Sequence, residues 1–360
     1  MIIRAALFGR SGSPEIVNAE LADPGLTEVL VGLVATGICH TDVKAARPGG
    51  LVPHPVVLGH EGAGIVMAVG SAVTTLAIGD HVVMTFSSCG GCPSCVAAEP
   101  AYCHHSSQLN FGCSAQHQLS VDGTRVHGGF FGQSSFASHA IADVRNTVRV
   151  RRDAPLELLG PLGCGVQTGA GAVLNVLRPT TGSKFVVFGA GSVGLSAVMA
   201  ARLTAVDTII AIDSNLGRLE MALELGATLA FQASPETSVE LRRFLGAGAD
   251  FVLDTTGSPE VIHQGLTLLA PRGTFGYVTS PWDGKDVPLP VRHMLWGRRM
   301  VGIIQGSSQP HSFIPALVDL VMSGRLPLEK IIRFYDFEDI GQALDDMSAG
   351  KVIKPVLKFA

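Results

Sequence analysis

Lys184 to Asp213 reads KFVVFGAGSVGLSAVMAARLTAVDTIIAID. It opens on an apolar, β-branched run, Phe185-Val186-Val187-Phe188, the composition of a strand buried on both faces. Gly189-Ala190-Gly191-Ser192-Val193-Gly194 follows, a GxGxxG. The Ala-rich stretch Leu195 to Leu203 suits a helix, and a second apolar strand, Thr208 to Ile212, ends on Asp213. Strand, tight turn, helix, strand and acid thus stand in the order of a dinucleotide-binding unit, with an ordinary βαβ turn as the competing reading. In such a unit the first glycine permits the turn, the second lets a pyrophosphate approach, and the third lets helix and strand pack closely. Helix N-terminal amides bind the phosphate oxygens. The expected cofactor contacts are Gly189, Gly191, Ser192, Val193, Gly194 and Asp213. The Asp213 carboxylate can accept from a ribose diol and repels a 2′-phosphate, which favours NAD over NADP. Arg218 reads either as a neighbour of the adenosine that softens this preference or as a solvated helix-face arginine.

The strand–helix alternation continues. Arg218 to Gly226 is an amphipathic helix ending in a glycine cap. Ala249 to Leu253 and Gly273 to Val278 read as strands, Val261 to Leu269 as a helix, and Arg298 to Ile304 as a last apolar strand. This pattern predicts an α/β fold with a doubly wound parallel (Rossmann) sheet, the cofactor lying across the strands' carboxyl ends.

The first half of the chain has a different texture. Residues 1 to 36 alternate short apolar runs with Gly, Pro and polar breaks, and Val29 to Ala35 reads as a strand, so this part is a β-rich module. Gly37-Ile38-Cys39-His40-Thr41-Asp42 follows, then Gly59-His60-Glu61-Gly62-Ala63-Gly64 before an apolar strand, Ile65 to Val69. Cys39 alone reads as a buried thiol. A histidine and a glutamate side by side among glycines fit a point where backbones crowd around needed polar groups. Cys89, Cys92, Cys95 and Cys103 have the spacing C-x2-C-x2-C-x7-C. Four thiolates this close can wrap one tetrahedral Zn²⁺ with no position left for chemistry; an iron–sulfur cluster is the alternative. His104 to Gly129 reads as loops and short strands, with Cys113 a free thiol. Phe130 to Phe136 resumes strand character, and Phe130 and Phe131 are either core or a hydrophobic substrate wall. Cys164 lies between two glycines just before a helical pattern. Phe313 to Ser323 reads as a helix capped by Gly324, and Lys354 to Lys358 as an edge strand returning to the first module.

At 360 residues, with 47% hydrophobic and 16% charged residues, the chain suits two domains with ample core. A net charge of −4 offers no basic surface for nucleic acid. Arg4 and the lack of a cleavage pattern argue against a signal peptide, and no apolar run is long enough to span a bilayer, so a cytoplasmic protein with no membrane partner is expected. In such a chain clustered cysteines point to metal rather than disulfides.

GICHTD, GHEGAG, the four-cysteine stretch, GCGVQTG and GAGSVG with Asp213, in that order, resemble the zinc-dependent medium-chain alcohol dehydrogenases over essentially the whole chain. FFGQSSFASHA at 130–140 and DTTG at 254–257 are most similar to the bacterial aryl-alcohol (benzyl alcohol) dehydrogenases, with geraniol dehydrogenase close. The resemblance implies a GroES-like catalytic domain from residues 1–165 and 305–360 around an NAD-binding domain at 166–304. It implies a catalytic zinc on Cys39, His60 and Cys164, with Glu61 entering the coordination sphere transiently, and so two Zn²⁺ per chain. Two thiolates and an imidazole leave the fourth position open, as this chemistry needs. By the same resemblance Asp42 orients His60, Thr41 receives the alcohol proton, His40 contacts the pyrophosphate and Thr168 lies at the nicotinamide. Many relatives carry a histidine where this chain has Lys44, so a proton path beyond Thr41 runs through bulk water or through Lys44, with a solvated lysine as the plainer reading.

The expected function is reversible NAD-dependent oxidation of a primary aromatic or allylic alcohol to its aldehyde, zinc polarising the oxygen and Thr41 relaying the proton. The alternatives are an aliphatic-alcohol or S-(hydroxymethyl)glutathione dehydrogenase, and a non-catalytic NAD-binding structural protein of the same fold. The resemblance also implies a homodimer or homotetramer, pairing through the strand at 298–304.

Overall fold

The apolar run at 184–188 becomes a central strand because both its faces are covered. In this computed structural model, Lys184–Phe188 pairs in parallel with Thr208–Asp213 on one side and Ala249–Asp254 on the other. The structure describes residues 1–9, 11–47, 49–113, 119–234, 237–279, 281, 284 and 286–359. Five residues of the His104–Gly129 stretch, 114–118, lie outside the described residues.

Six strands form this parallel sheet, in the spatial order Leu229–Gln232, Thr208–Asp213, Lys184–Phe188, Ala249–Asp254, Leu269–Tyr277 and Arg299–Gly302. The order reverses beside the first strand, as in a doubly wound nucleotide fold. Helices Ser192–Arg202, Leu216–Leu225, Thr237–Leu245 and Pro259–Leu268 follow successive strands. Val186, Ile210, Val252, Leu266 and Phe275 belong to one core cluster of this sheet and its helices.

The first half of the chain builds two further sheets. Glu28–Gly37 is the organising strand of a seven-stranded one, pairing antiparallel with Gly62–Val69, His139–Asp143 and Lys354–Lys358. Ile2–Phe8 pairs with Pro14–Leu21 and Val56–Val57 in a five-stranded sheet that also holds the hairpin Leu119–Val121 and Thr124–Val126. Chain contacts define two compact units: Met1–Cys164 with Gln309–Gly324 and Leu328–Ala360, and Gly165–Ser308 with Arg325–Pro327.

Two expectations are corrected. Phe130 to Phe136 is not a strand: Phe130–Gly132 is a 3-10 turn, and Phe131, Gly132 and Ser134 have φ of 52°, 65° and 52°. A chain in the left-handed region cannot keep a pleated ladder. Lys354–Lys358 is not an edge, because Ile332–Asp336 pairs with its other side.

Candidate functional site

The first candidate site grows from the end of the organising strand. Past Gly37 the chain turns into the helix His40–Ala45, and Cys39 is its N-cap. The Cys39 backbone N–H donates to Asp42 Oδ2 at 2.8 Å. Asp42 Oδ1 accepts from the Gly59 N–H at 3.1 Å and from His60 Nδ1 at 2.9 Å. One fully buried carboxylate thus closes the helix start and sets the histidine tautomer. As an acceptor-only group it places the proton on Nδ1 and leaves the Nε2 lone pair outward. That Nε2 is buried without a hydrogen-bond partner among the described residues.

Ligand atoms of Cys39, His60, Glu61 and Cys164 all lie within 4.8 Å of one another. Backbone crowding around them is severe. A side chain at Gly37 would strike the Glu61 carboxylate, and one at Gly160 the Glu61 carbonyl. Glu61 is held from behind: Lys354 Nζ donates to both its carboxylate oxygens, at 2.9 and 2.8 Å, and to the Ile38 carbonyl at 2.9 Å. Cys164 follows the 3-10 turn Gly160–Gly163, whose last carbonyl accepts the Thr85 hydroxyl at 2.7 Å.

These groups drive one another's protonation apart. Burial alone would lower His60, but the charge and hydrogen bond of Asp42 outweigh it and raise the imidazole to about 10, so a metal taking Nε2 displaces a proton to reach its lone pair. The bond from Cys164 holds the Cys39 thiol well below its ordinary value against desolvation, and Cys164 is pushed well above by the same bond and by burial. Burial also raises Glu61, opposed by Lys354. Two sulfurs and an unpartnered imidazole nitrogen, converging on one point with a carboxylate beside them, fit a divalent metal of zinc type.

A second cluster gathers Cys89, Cys92, Cys95 and Cys103. Cys89 Sγ and Cys95 Sγ are 3.9 Å apart, as are Cys92 Sγ and Cys103 Sγ. Zn–S bonds of about 2.3 Å make a tetrahedral edge of about 3.8 Å, so the preformed spacing fits. Backbone N–H groups point at the sulfurs: Cys92 to Cys89 Sγ at 3.2 Å, Cys89 to Cys103 Sγ at 3.3 Å, and His105 to the same sulfur at 3.4 Å. Arg145 Nη1 donates to the Cys89 carbonyl at 2.5 Å and anchors the loop.

Phe130 and Phe131 flank the metal-ligand candidate rather than stand apart from it. The Phe131 ring stacks on His60 at 4.4 Å, and Phe130 meets the same imidazole edge-on at 5.4 Å. Phe111 closes the cluster at 5.1 Å from Phe131. Both paired phenylalanines are buried. Thr41 Oγ1 lies 3.7 Å from Cys39 Sγ. His40 is exposed on the first turn of the same helix. Lys44, in the last turn, is half-buried, and burial lowers its amine to about 8. Cys113 is buried, and burial pushes its thiol up to about 12.

The second candidate site lies in the other unit, at the turn after Lys184–Phe188. Gly189 has φ of 90°. A Cβ on Gly191 would meet nothing within 4 Å, whereas one on Gly194 would strike the Gly189 carbonyl. These are the roles of a sharp turn, an open approach and close helix–strand contact. Ser192 Oγ, at the start of the helix that Val193 and Gly194 continue, is buried without a partner among the described residues. This cradle fits a pyrophosphate. Asp213 is nearly buried: Oδ2 accepts from Ala190 N–H at 2.7 Å and Oδ1 from Asn215 N–H at 2.9 Å. Arg218 Nη1 approaches Asp213 Oδ2 at 3.8 Å. Thr168 is buried in the helix Gly165–Gly171 of this unit.

Sequence reasoning missed Lys354, Gln133 and Phe111. A lysine opening an otherwise apolar strand was a signal for the first; nothing local marked the others.

A family model described as alcohol dehydrogenase GroES-like domain matches residues 25–152, and one described as zinc-binding dehydrogenase matches residues 192–323. The chain is 42% identical to the geraniol dehydrogenase of Castellaniella defragrans over 99% of its own length and 97% of that protein's. It superposes on an alcohol dehydrogenase zinc-binding domain protein from Burkholderia ambifaria with TM-score 0.97 and 47% identity, covering 100% of this chain and 99% of that one. It superposes on benzyl alcohol dehydrogenase from Acinetobacter calcoaceticus with TM-score 0.96 and 41% identity, covering 100% of each.

Proposed function

Because the chain belongs to the zinc-dependent medium-chain alcohol dehydrogenases, we propose that it reversibly oxidises a primary aromatic or allylic alcohol to its aldehyde with NAD. The observation that carries the reading is the convergence of Cys39, His60 and Cys164, with an unpartnered, buried His60 Nε2 among them. Those three residues would hold one zinc, and the four-cysteine cluster a second, giving two per chain. Bound there, the ion would supply Lewis-acid polarisation of an alcohol oxygen, and NAD would supply the hydride acceptor.

The chain's own residues do the rest. Asp42 keeps the imidazole in the ligating tautomer. Thr41, beside Cys39, takes the alcohol proton. Lys354 restrains the Glu61 carboxylate, so its approach to the ion is limited. Phe111, Phe130 and Phe131 around the imidazole support an aromatic or allylic substrate over a short aliphatic one. Asp213 supports NAD over NADP; Gly189, Gly191, Ser192, Val193 and Gly194 receive the pyrophosphate, with His40, Thr168 and Arg218 completing the cofactor contacts. The exposed Leu295 and Trp296, next to the edge strand Arg299–Gly302, support self-association into a dimer or tetramer.

Metal analysis and steady-state kinetics test the reading together. Two zinc ions per chain are expected, with kcat/KM for benzyl alcohol and geraniol above that for ethanol and for the glutathione–formaldehyde adduct. A single zinc with no turnover of any of these favours a structural NAD-binding protein; a preference for the last two shifts the substrate class.

A further inference from the structure

Gln133 is neither a metal ligand nor a nucleotide contact in the proposed function, yet its side chain is buried and makes three hydrogen bonds beside the metal-ligand cluster. Its Nε2 donates to the His60 carbonyl at 3.0 Å and to the Thr85 carbonyl at 3.2 Å. Its Oε1 accepts from the Gly62 N–H at 3.2 Å. One planar amide therefore grips the backbone on both sides of Glu61, the residue that follows His60.

Thr85 carries the connection further. Its hydroxyl donates to the carbonyl of Gly163, the residue before Cys164. Its backbone N–H donates to Asn146 O at 2.9 Å, and Asn146 Nδ2 returns to the Thr85 carbonyl at 3.3 Å. The chain reaches this arrangement through three consecutive-to-near positions in the left-handed region, Phe131, Gly132 and Ser134. Two of these are not glycine, a conformation that persists only where the surroundings over-determine it. Ser134 Oγ then donates to the Val57 carbonyl at 2.6 Å, and Ser135 N–H to Gly59 O at 2.9 Å. The whole turn is thus stitched to the segment that bears His60.

We infer that Gln133, acting through Thr85, is a positioning residue for the catalytic metal. It locks the backbone of His60 to that of Gly163, so the imidazole and the Cys164 sulfur meet the ion at a preset separation. Only an amide side chain of this length supplies two donors and an acceptor in one plane; an ionised carboxylate has no donor, and a thioether has no donor and only a weak acceptor. The inference rests on the reading that Cys39, His60 and Cys164 hold a metal.

Zinc-loaded enzyme mixed with a chromogenic chelator should release its metal in two kinetic phases, one per site. Gln133→Met, close in shape but without the hydrogen bonds, should speed one phase by about 10- to 100-fold and leave the other unchanged. Cobalt exchanged into the same position should show a shifted ligand-field band. Thr85→Val should act in the same direction, and Thr85→Ser, which keeps the hydroxyl, should match wild type. If wild-type protein holds a single metal ion, the reading of the site fails. If it holds two, and Gln133→Met leaves both phases and the cobalt band unmoved or speeds both phases alike, the site stands and the positioning role is overturned. Should Gln133→Met not yield folded protein, the Thr85 pair decides by the same readouts.

Discussion

Lys354→Met tests how the buried carboxylate of Glu61 is tolerated. In the wild type, both Glu61 oxygens receive Lys354 Nζ, and the two side chains are 0% and 2% exposed. Methionine fills nearly the same volume but leaves a desolvated carboxylate and the Ile38 carbonyl without their donor. Removing one member of a buried ion pair typically costs about 3–5 kcal/mol, because the remaining charge is uncompensated. At roughly 2–4 °C per kcal/mol for a unit of this size, the melting transition of the metal-bearing unit should fall by about 6–20 °C. The assay is scanning calorimetry of zinc-loaded protein at neutral pH, following the unit that holds the metal-ligand cluster. Glu61→Gln on top of Lys354→Met should recover at least half of the loss, since the neutral amide removes the stranded charge. Lys354→Arg should stay near wild type. A shift below about 2 °C for Lys354→Met, or a double variant worse than the single one, would refute the claim that this pair is mutually dependent.

Four further outcomes are expected. Asp213→Ser should raise the ratio of kcat/KM with NADP to that with NAD by about tenfold or more, equivalent to roughly 1.4 kcal/mol of removed repulsion, and an unchanged ratio counts against Asp213 as the discriminating group. Lys44→Ala should change turnover little; a large loss that added amines restore would instead put Lys44 in the proton path. Because burial lowers the Lys44 amine to about 8, below its ordinary 10.5, the unfolded chain binds more protons between these values. Wild-type stability relative to Lys44→Met should therefore rise with pH across that window, and a denaturation series showing a fall contradicts the sign. Cys103→Ser should reduce bound zinc from two ions to one and lower the melting temperature while leaving the Cys39–His60–Cys164 metal in place; retention of both ions removes Cys103 from the ligand set.

Much of this was legible because the determining information is local. The strand, glycine turn, helix and acid at 184–213 are specified by a short run of backbone conformations and apolar contacts, and the same run forms the centre of the parallel sheet. The four cysteines lie within fifteen residues and need only a tight loop to meet. Cys39, His60 and Cys164 are far apart in sequence, and periodicity alone did not join them. What groups them is that GICHTD, GHEGAG and GCGVQTG occur together in one family's order. The segment at 130–136 defeated a pattern reading for a physical reason. Its aromatic residues have strand composition, but left-handed φ at Phe131 and Ser134 is imposed by hydrogen bonds to Val57, Gly59 and His60, more than seventy residues earlier.

Lys354 was hidden in the opposite way. Its strand is legible in the sequence, but its burial depends on what packs over the face from which the side chain projects. Side chains stand off the faces of a strand, and on its face the Lys354 side chain is only 2% exposed, its amine held against the Ile38 carbonyl and the Glu61 carboxylate. A lysine there must find an acid or lose its charge, and the only carboxylate it contacts among the described residues is Glu61. The lysine, Gln133 and Asp42 then share one logic. Each satisfies its own buried polarity by gripping the segment 59–62: Asp42 at the Gly59 amide and the His60 ring, Gln133 at the His60 carbonyl and the Gly62 amide, Lys354 at the Glu61 carboxylate. A four-residue stretch restrained from three elements has little freedom to accommodate an ion by moving. Its ligand geometry is therefore set before any ion arrives, and perturbing any of the three grips should change metal exchange.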